Sequence, residues 1–123
     1  MPTILAEPVH TGEHIVSEAN GSRSRTTLTI AASQTLSAAA VVGIVTASGE
    51  AVELDPDADD GSEAAAGVIY SAVTTEAGET EAVAAHVRDC ELRASSLVWP
   101  AGIATGEKDT AIAELKALGV ILR

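Results

Sequence analysis

The stretch from Gly67 to Pro100 constrains the fold most. It carries two apolar runs, GVIYSAV (Gly67–Val73) and AVAAHV (Ala82–Val87), joined by the polar turn Thr74–Glu81 and followed by LVWP (Leu97–Pro100). Short apolar runs bounded by turn residues read as strands. Ala82–Leu92 also changes phase. Val83, Ala85 and Val87 share one face of an extended chain, whereas Cys90 and Leu92 share the other. A strand of period two cannot bury both sets on one side, so a bulge or sharp bend is expected near Arg88-Asp89.

Other segments support the same β-rich picture. Thr26–Ala31 (TTLTIA) alternates, with Leu28 and Ile30 on one side, and reads as a half-buried strand. Ser33–Ala39 is small and polar, a loop. Ala40–Ala47 (AVVGIVTA) is continuous and apolar, a strand covered on both faces. Ser48-Gly49 offers a hairpin turn, and Glu50–Leu54 returns with Val52 and Leu54 inward. Asp55–Glu63 (DPDADDGSE) is an acidic loop. One helix is expected, Thr105–Leu118. Thr105 is its cap, Glu107 and Asp109 lie in the first turn, Lys116 in the last, and Gly119 just beyond. Ala111, Ile112, Leu115 and Leu118 form its apolar stripe. Val120–Leu122 reads as a final strand. The fold class is therefore mainly β with one short C-terminal α-helix.

Residues 1–25 have a different character. Pro2, Pro8, Gly12, Asn20 and Gly21 interrupt every period, and Ile4, Leu5, Val9, Ile15 and Val16 fit no single helix face. This is an extended N-terminal arm before a compact domain, 26–123. It is either a frayed terminus or a segment that orders on a partner, by adding a strand to a sheet edge. Its first ten residues, MPTILAEPVH, lack the basic start and apolar run of a signal peptide. The longest apolar run, Ala38–Ala47, is half of what a membrane helix needs.

The 123 residues include no Phe, one Tyr and one Trp. Large rings usually dominate core energetics, so this core must be built from Val, Ile, Leu and Ala. A thin core of that kind gains stability by association, most simply as a cyclic oligomer; the alternative is a marginal monomer. The formal charge is −11, with no Lys or Arg between Thr26 and Val87. Such a surface repels phosphate backbones and argues against nucleic acid as a partner. The lone Cys90 cannot form an internal disulfide.

Candidate chemistry is sparse. His10-Thr11-Gly12-Glu13-His14 matches H-x-x-E-H, a zinc peptidase pattern, but Pro8 and Gly12 spoil the helix that chemistry needs. The run Asp55, Asp57, Asp59, Asp60 and Gly61 misses the Gly and Glu positions of a calcium loop, leaving a solvated acidic turn or an irregular calcium site. His86 and Cys90 would lie about 13 Å apart on an extended strand, too far for thiol activation. Trp99, with Pro100 ending its strand, is either core or an anchor in a subunit contact. No enzyme and no cofactor is expected.

The C-terminal half resembles the head decoration proteins of lambda-like tailed phages. The likeness lies in Gly67-Val68-Ile69 after an acidic Gly/Ser loop, then Leu97-Val98-Trp99-Pro100, a short charged helix, and Gly119-Val120-Ile121-Leu122. Ser17–Arg25 is similar to a prophage branch of that family. The resemblance implies a non-enzymatic homotrimer on the outside of the expanded head, at three-fold positions, made in the host bacterial cytoplasm. Its partners would be copies of itself and the major capsid protein, with no nucleic acid and no membrane. Thr3, Ile4, Leu5, Ile15, Val16, Arg23 and Arg25 would face the capsid, and Trp99 and Pro100 a neighbouring subunit. The alternative is a small trimeric β-rich binding module, for carbohydrate or a tail adaptor.

Overall fold

A computed structural model describes residues 11–123. Among these residues ten strands occur in chain order: β1 (Ile15–Glu18), β2 (Arg25–Ile30), β3 (Thr35–Leu36), β4 (Val41–Ile44), β5 (Ala51–Glu53), β6 (Gly67–Ile69), β7 (Val73–Thr74), β8 (Glu81–His86), β9 (Cys90–Leu92) and β10 (Val120–Leu122). Among the described residues one α-helix, α1 (Thr105–Leu118), precedes β10. Strands β2, β5, β4, β6 and β8 close into a five-stranded barrel. Strands β1, β9 and β10 form a separate sheet with β9 in the middle, and β3 pairs with β7 as a two-stranded ribbon.

The barrel interior is filled by Ile30, Val42, Ala51, Ile69, Val83 and Ala85, with Leu36, Ala40 and Val73 at its margin. A second core lies between the barrel wall, the three-stranded sheet and α1. It contains Val41, Leu54, Val68, Cys90, Leu92, Ala111, Leu115 and Val120. Among the described residues neither core buries an aromatic ring, and Trp99 packs only at the edge of the second. Strands β4 and β6 form the shared wall. Val42 and Ile69 point into the barrel, and their neighbours Val41 and Val68 point into the second core, all four with no exposed surface. This is the period-two alternation of a strand covered on both faces, as expected for Ala40–Ala47, though β4 itself covers only Val41–Ile44.

The phase change after Ala82 is where the chain passes from one core to the other. Strand β8 buries Val83 and Ala85 in the barrel; β9 buries Cys90 and Leu92 in the second core. Between them Asp89 adopts a left-handed backbone, φ 52°, so the expected bend falls where the sequence placed it. The helix also has the expected span. Strand β10 returns parallel to β9, which requires a crossover, and α1 supplies it. Gly119, at φ 97°, ends the helix in the left-handed form that favours glycine.

Several details differ from expectation. The helix is capped by Glu107, whose Oε1 accepts the Ala104 N–H at 3.0 Å, and Thr105 is the first helical residue. Ala111 and Leu115 are buried but Leu118 is 45% exposed, because the second core ends before the last turn. In β5 it is Ala51 that fills the barrel, while Val52 is half-buried and Leu54 serves the second core. Ser33–Ala39 contains β3, since Thr35–Leu36 finds a partner in Val73–Thr74. For the same reason Gly67–Val73 is two strands rather than one. Gly43 allows the acidic loop to cross β4, for a Cβ there would sit 2.4 Å from the Ser62 carbonyl oxygen.

Candidate functional site

The described part of the N-terminal segment is seated on the body rather than extended from it. Residues 11–14 form a turn, and β1 pairs antiparallel with β9 (Ile15 opposite Leu92, Ser17 opposite Glu91, Glu18 opposite Cys90), with a register shift between Ile15 and Ser17. Arg93 N–H donates to the His14 carbonyl at 2.7 Å and Ala19 N–H to the Asp89 carbonyl at 3.0 Å. The chain then turns through Ser22, and Val87 N–H donates to the Ser24 carbonyl at 3.0 Å. The domain body therefore includes β1, which the sequence grouped with the arm 1–25.

A polar cluster locks this seat. Glu18 is its centre. Arg25 donates to both Glu18 oxygens, at 3.1 and 2.8 Å; Ser24 Oγ donates at 3.2 Å; and His86 Nε2 lies 2.6 Å from Glu18 Oε2. The Arg25 guanidinium rests 4.3 Å above the centre of the Tyr70 ring, a cation–π contact. His14 and His86 meet edge to face at 5.8 Å. His14, Ser24 and His86 have no exposed surface. The Arg25 pair, and further the His86 contact, hold the Glu18 carboxyl down at about 2, although partial burial opposes this. An ionised carboxylate only accepts, so His86 Nε2 carries the hydrogen it shares with Glu18.

The structure divides the expected shell-facing residues. Thr3, Ile4 and Leu5 lie outside the described residues. Val16 is 50% exposed, and Arg23 is exposed with Asp89 3.5 Å away. Ile15 packs on the second core, and Arg25 is held by Glu18 and Tyr70. These last two side chains are turned into the body, which the alternation of the segment does not reveal. Trp99 is half-buried against the second core with the Lys108 ammonium 5.5 Å from its ring centre, and Pro100 is half-buried beside it. No local sequence pattern groups Glu18, Tyr70, His14 and His86. Glu18 and His86 are 68 residues apart in the chain, and no local pattern joins them.

The motifs with catalytic spacing have structural roles. Thr11–His14 is a turn, not a helix, so it does not present a metallopeptidase face; His10 lies outside the described residues. In the acidic loop the carboxylates bond their own backbone: Asp55 accepts from Asp57 N–H at 3.1 Å, and Asp60 from Ser62 N–H and Oγ at 3.0 and 2.6 Å. Among the described residues no group of three or more His, Cys, Asp or Glu is placed to hold a metal. Burial pushes the Cys90 thiol up to about 11, the behaviour of a core group rather than a nucleophile. A cleft of about 560 Å³ separates the acidic loop from Pro100–Ile103; Glu53, Asp55, Asp57, Asp60 and Glu107 line it, and no aromatic ring does. No helix among the described residues is long and apolar enough to cross a membrane.

A barrel flanked by a three-stranded sheet, a crossover helix and a seated N-terminal segment can be compared with known proteins. No curated protein matches the chain. The family model of the bacteriophage lambda head decoration protein D matches residues 4–120. The chain belongs to that family, whose members decorate the phage capsid.

Proposed function

We propose that this chain binds as a homotrimer to the outer surface of an expanded phage head, at three-fold positions, and stabilises it without enzymatic activity. The observation that carries this reading is the family match over residues 4–120, which reaches past β1 into the segment before it. The charge distribution supports it: most of the acidic loop is open to water, and Arg23 is exposed near the end of the N-terminal segment. Val16 and Arg23, with Thr3–Leu5 before them, form the shell contact. Ile15 and Arg25 hold the root of that contact in place. Pro100 lines one surface hollow and Trp99 another, and in this reading both face a neighbouring subunit. A prophage origin and synthesis in the host cytoplasm belong to the same reading.

Three arms on one trimer add weak contacts through effective concentration. Selective binding to the expanded shell draws the shell toward that state by mass action. The test removes residues 1–10 only, since a longer deletion would take away β1 and with it part of the fold. The shortened chain is added to expanded heads and occupancy is measured. A large loss of occupancy is expected; unchanged occupancy refutes the arm's role. Light scattering on a sizing column gives the assembly state, with the mass of three chains expected on the head or at high concentration.

A further inference from the structure

His14 is fully buried, and neither ring nitrogen has a hydrogen-bond partner among the described residues. Most buried polar groups are bonded, so an orphan imidazole calls for an explanation. A neutral ring tolerates this position; a cation does not. The groups facing it come from every neighbouring element. The His86 ring on β8 touches it edge to face, Tyr70 stands 6.2 Å from His86, and Arg25 on β2 adds a fixed positive charge. Glu18 is a carboxylate bonded into the cluster. It already takes two donors from Arg25 and one each from Ser24 and His86. Three of these crowd Oε2 and one reaches Oε1, and none comes from His14. On and around β9, the Arg93 backbone N–H donates to the His14 carbonyl, Cys90 is a buried thiol, and Asp89 is paired with Arg23. Glu13 is an exposed residue with a partner of its own, and it makes no hydrogen bond to the His14 ring. His86 Nδ1 is also buried without a partner and makes no hydrogen bond to His14. A proton on His14 would therefore enter a buried site where neither ring nitrogen has an acceptor within reach among the described residues.

We propose that His14 is an acid-sensitive latch: while its ring is neutral, Thr11–Glu18 stays seated on β9 and the barrel, and protonation releases that segment while the barrel remains closed. Release is local because β1 is an edge strand with a shifted register and only β9 beside it among the described residues. The latch is a property of the free chain and holds whether or not the segment touches a shell.

Burial first, then the neighbouring His86 and Arg25, lowers the His14 ring from an ordinary 6.5 to about 4. The released segment thus binds the proton more tightly, and its population rises by about thirtyfold between pH 7.5 and pH 5. Amide hydrogen exchange on the free protein, corrected for the intrinsic pH dependence of exchange, reads this directly. Peptides over residues 11–20 should lose protection by about that factor, peptides over β8 should not, and His14→Gln should show no such pH dependence. Unchanged protection over residues 11–20, loosening shared by the whole chain, or the same loosening in His14→Gln overturns the proposal. If that variant does not fold, an NMR titration of the wild-type His14 ring decides. A midpoint well below 6 supports the latch; a midpoint near 6.5 in the folded chain overturns it.

Discussion

Strand β9 has a neighbour on each side, and the two are held by different physics. On one side β10 runs parallel in regular register, backed by Leu115, Ala111 and Val120. On the other β1 runs antiparallel with a register shift, held by Ile15 and by the charged cluster around Glu18. Apolar packing is indifferent to pH; a carboxylate shared among Arg25, His86 and Ser24 beside an unbonded imidazole is not. The same sheet therefore has one edge built for permanence and one whose hold depends on protonation.

The largest way to break this contrast is to damage the apolar edge. Leu115→Ala leaves a cavity at a fully buried position and should cost about 2–5 kcal/mol. A urea denaturation series should show that loss equally at pH 7.5 and pH 5. The next effect is acid itself. The folded His14 has its proton affinity lowered from 6.5 to about 4, so the unfolded chain binds more protons between those values. Stability is then full above pH 6.5 and declines toward pH 4, by up to about 3 kcal/mol. Glu18, depressed from 4.5 to about 2, extends the decline: its stabilisation is full above pH 4.5 and is lost as pH falls toward 2. Thermal melts from pH 7.5 to pH 3 check both signs.

A smaller effect sharpens the comparison at neutral pH. Glu18→Gln removes the charge but keeps a side chain that bonds, and should cost about 1–3 kcal/mol, measured by denaturant midpoint, as Arg25 and His86 lose their shared partner. The smallest concerns Arg23. Its ion pair with Asp89 is exposed, so Arg23→Ala should change stability by no more than about 0.5 kcal/mol. If Arg23 contacts the shell, the same variant should nonetheless lower occupancy on expanded heads.

Much of the fold was legible in the chain. The helix span, the two-faced strand at Val41–Ile44 and the turn at Asp89 all follow from local periodicity. The candidate site was less so. Ile15, Val16, Arg23 and Arg25 share a breaker-rich stretch, and nothing local says which two point inward. That is decided by Leu92, Tyr70 and His86, which lie far along the chain. Barrel closure is equally non-local. The single parallel pair that completes it, Ile30 with Ala51, leaves no trace in either segment's pattern.

The kink at Asp89 has one last consequence. Because β8 and β9 are a single run of chain with only three residues between them, the barrel and the helix-backed sheet share a hinge that neither can give up alone. Cutting either compartment free would tear the other's wall. Global denaturation should therefore proceed as one concerted event, even in a molecule whose outermost strand can lift away separately.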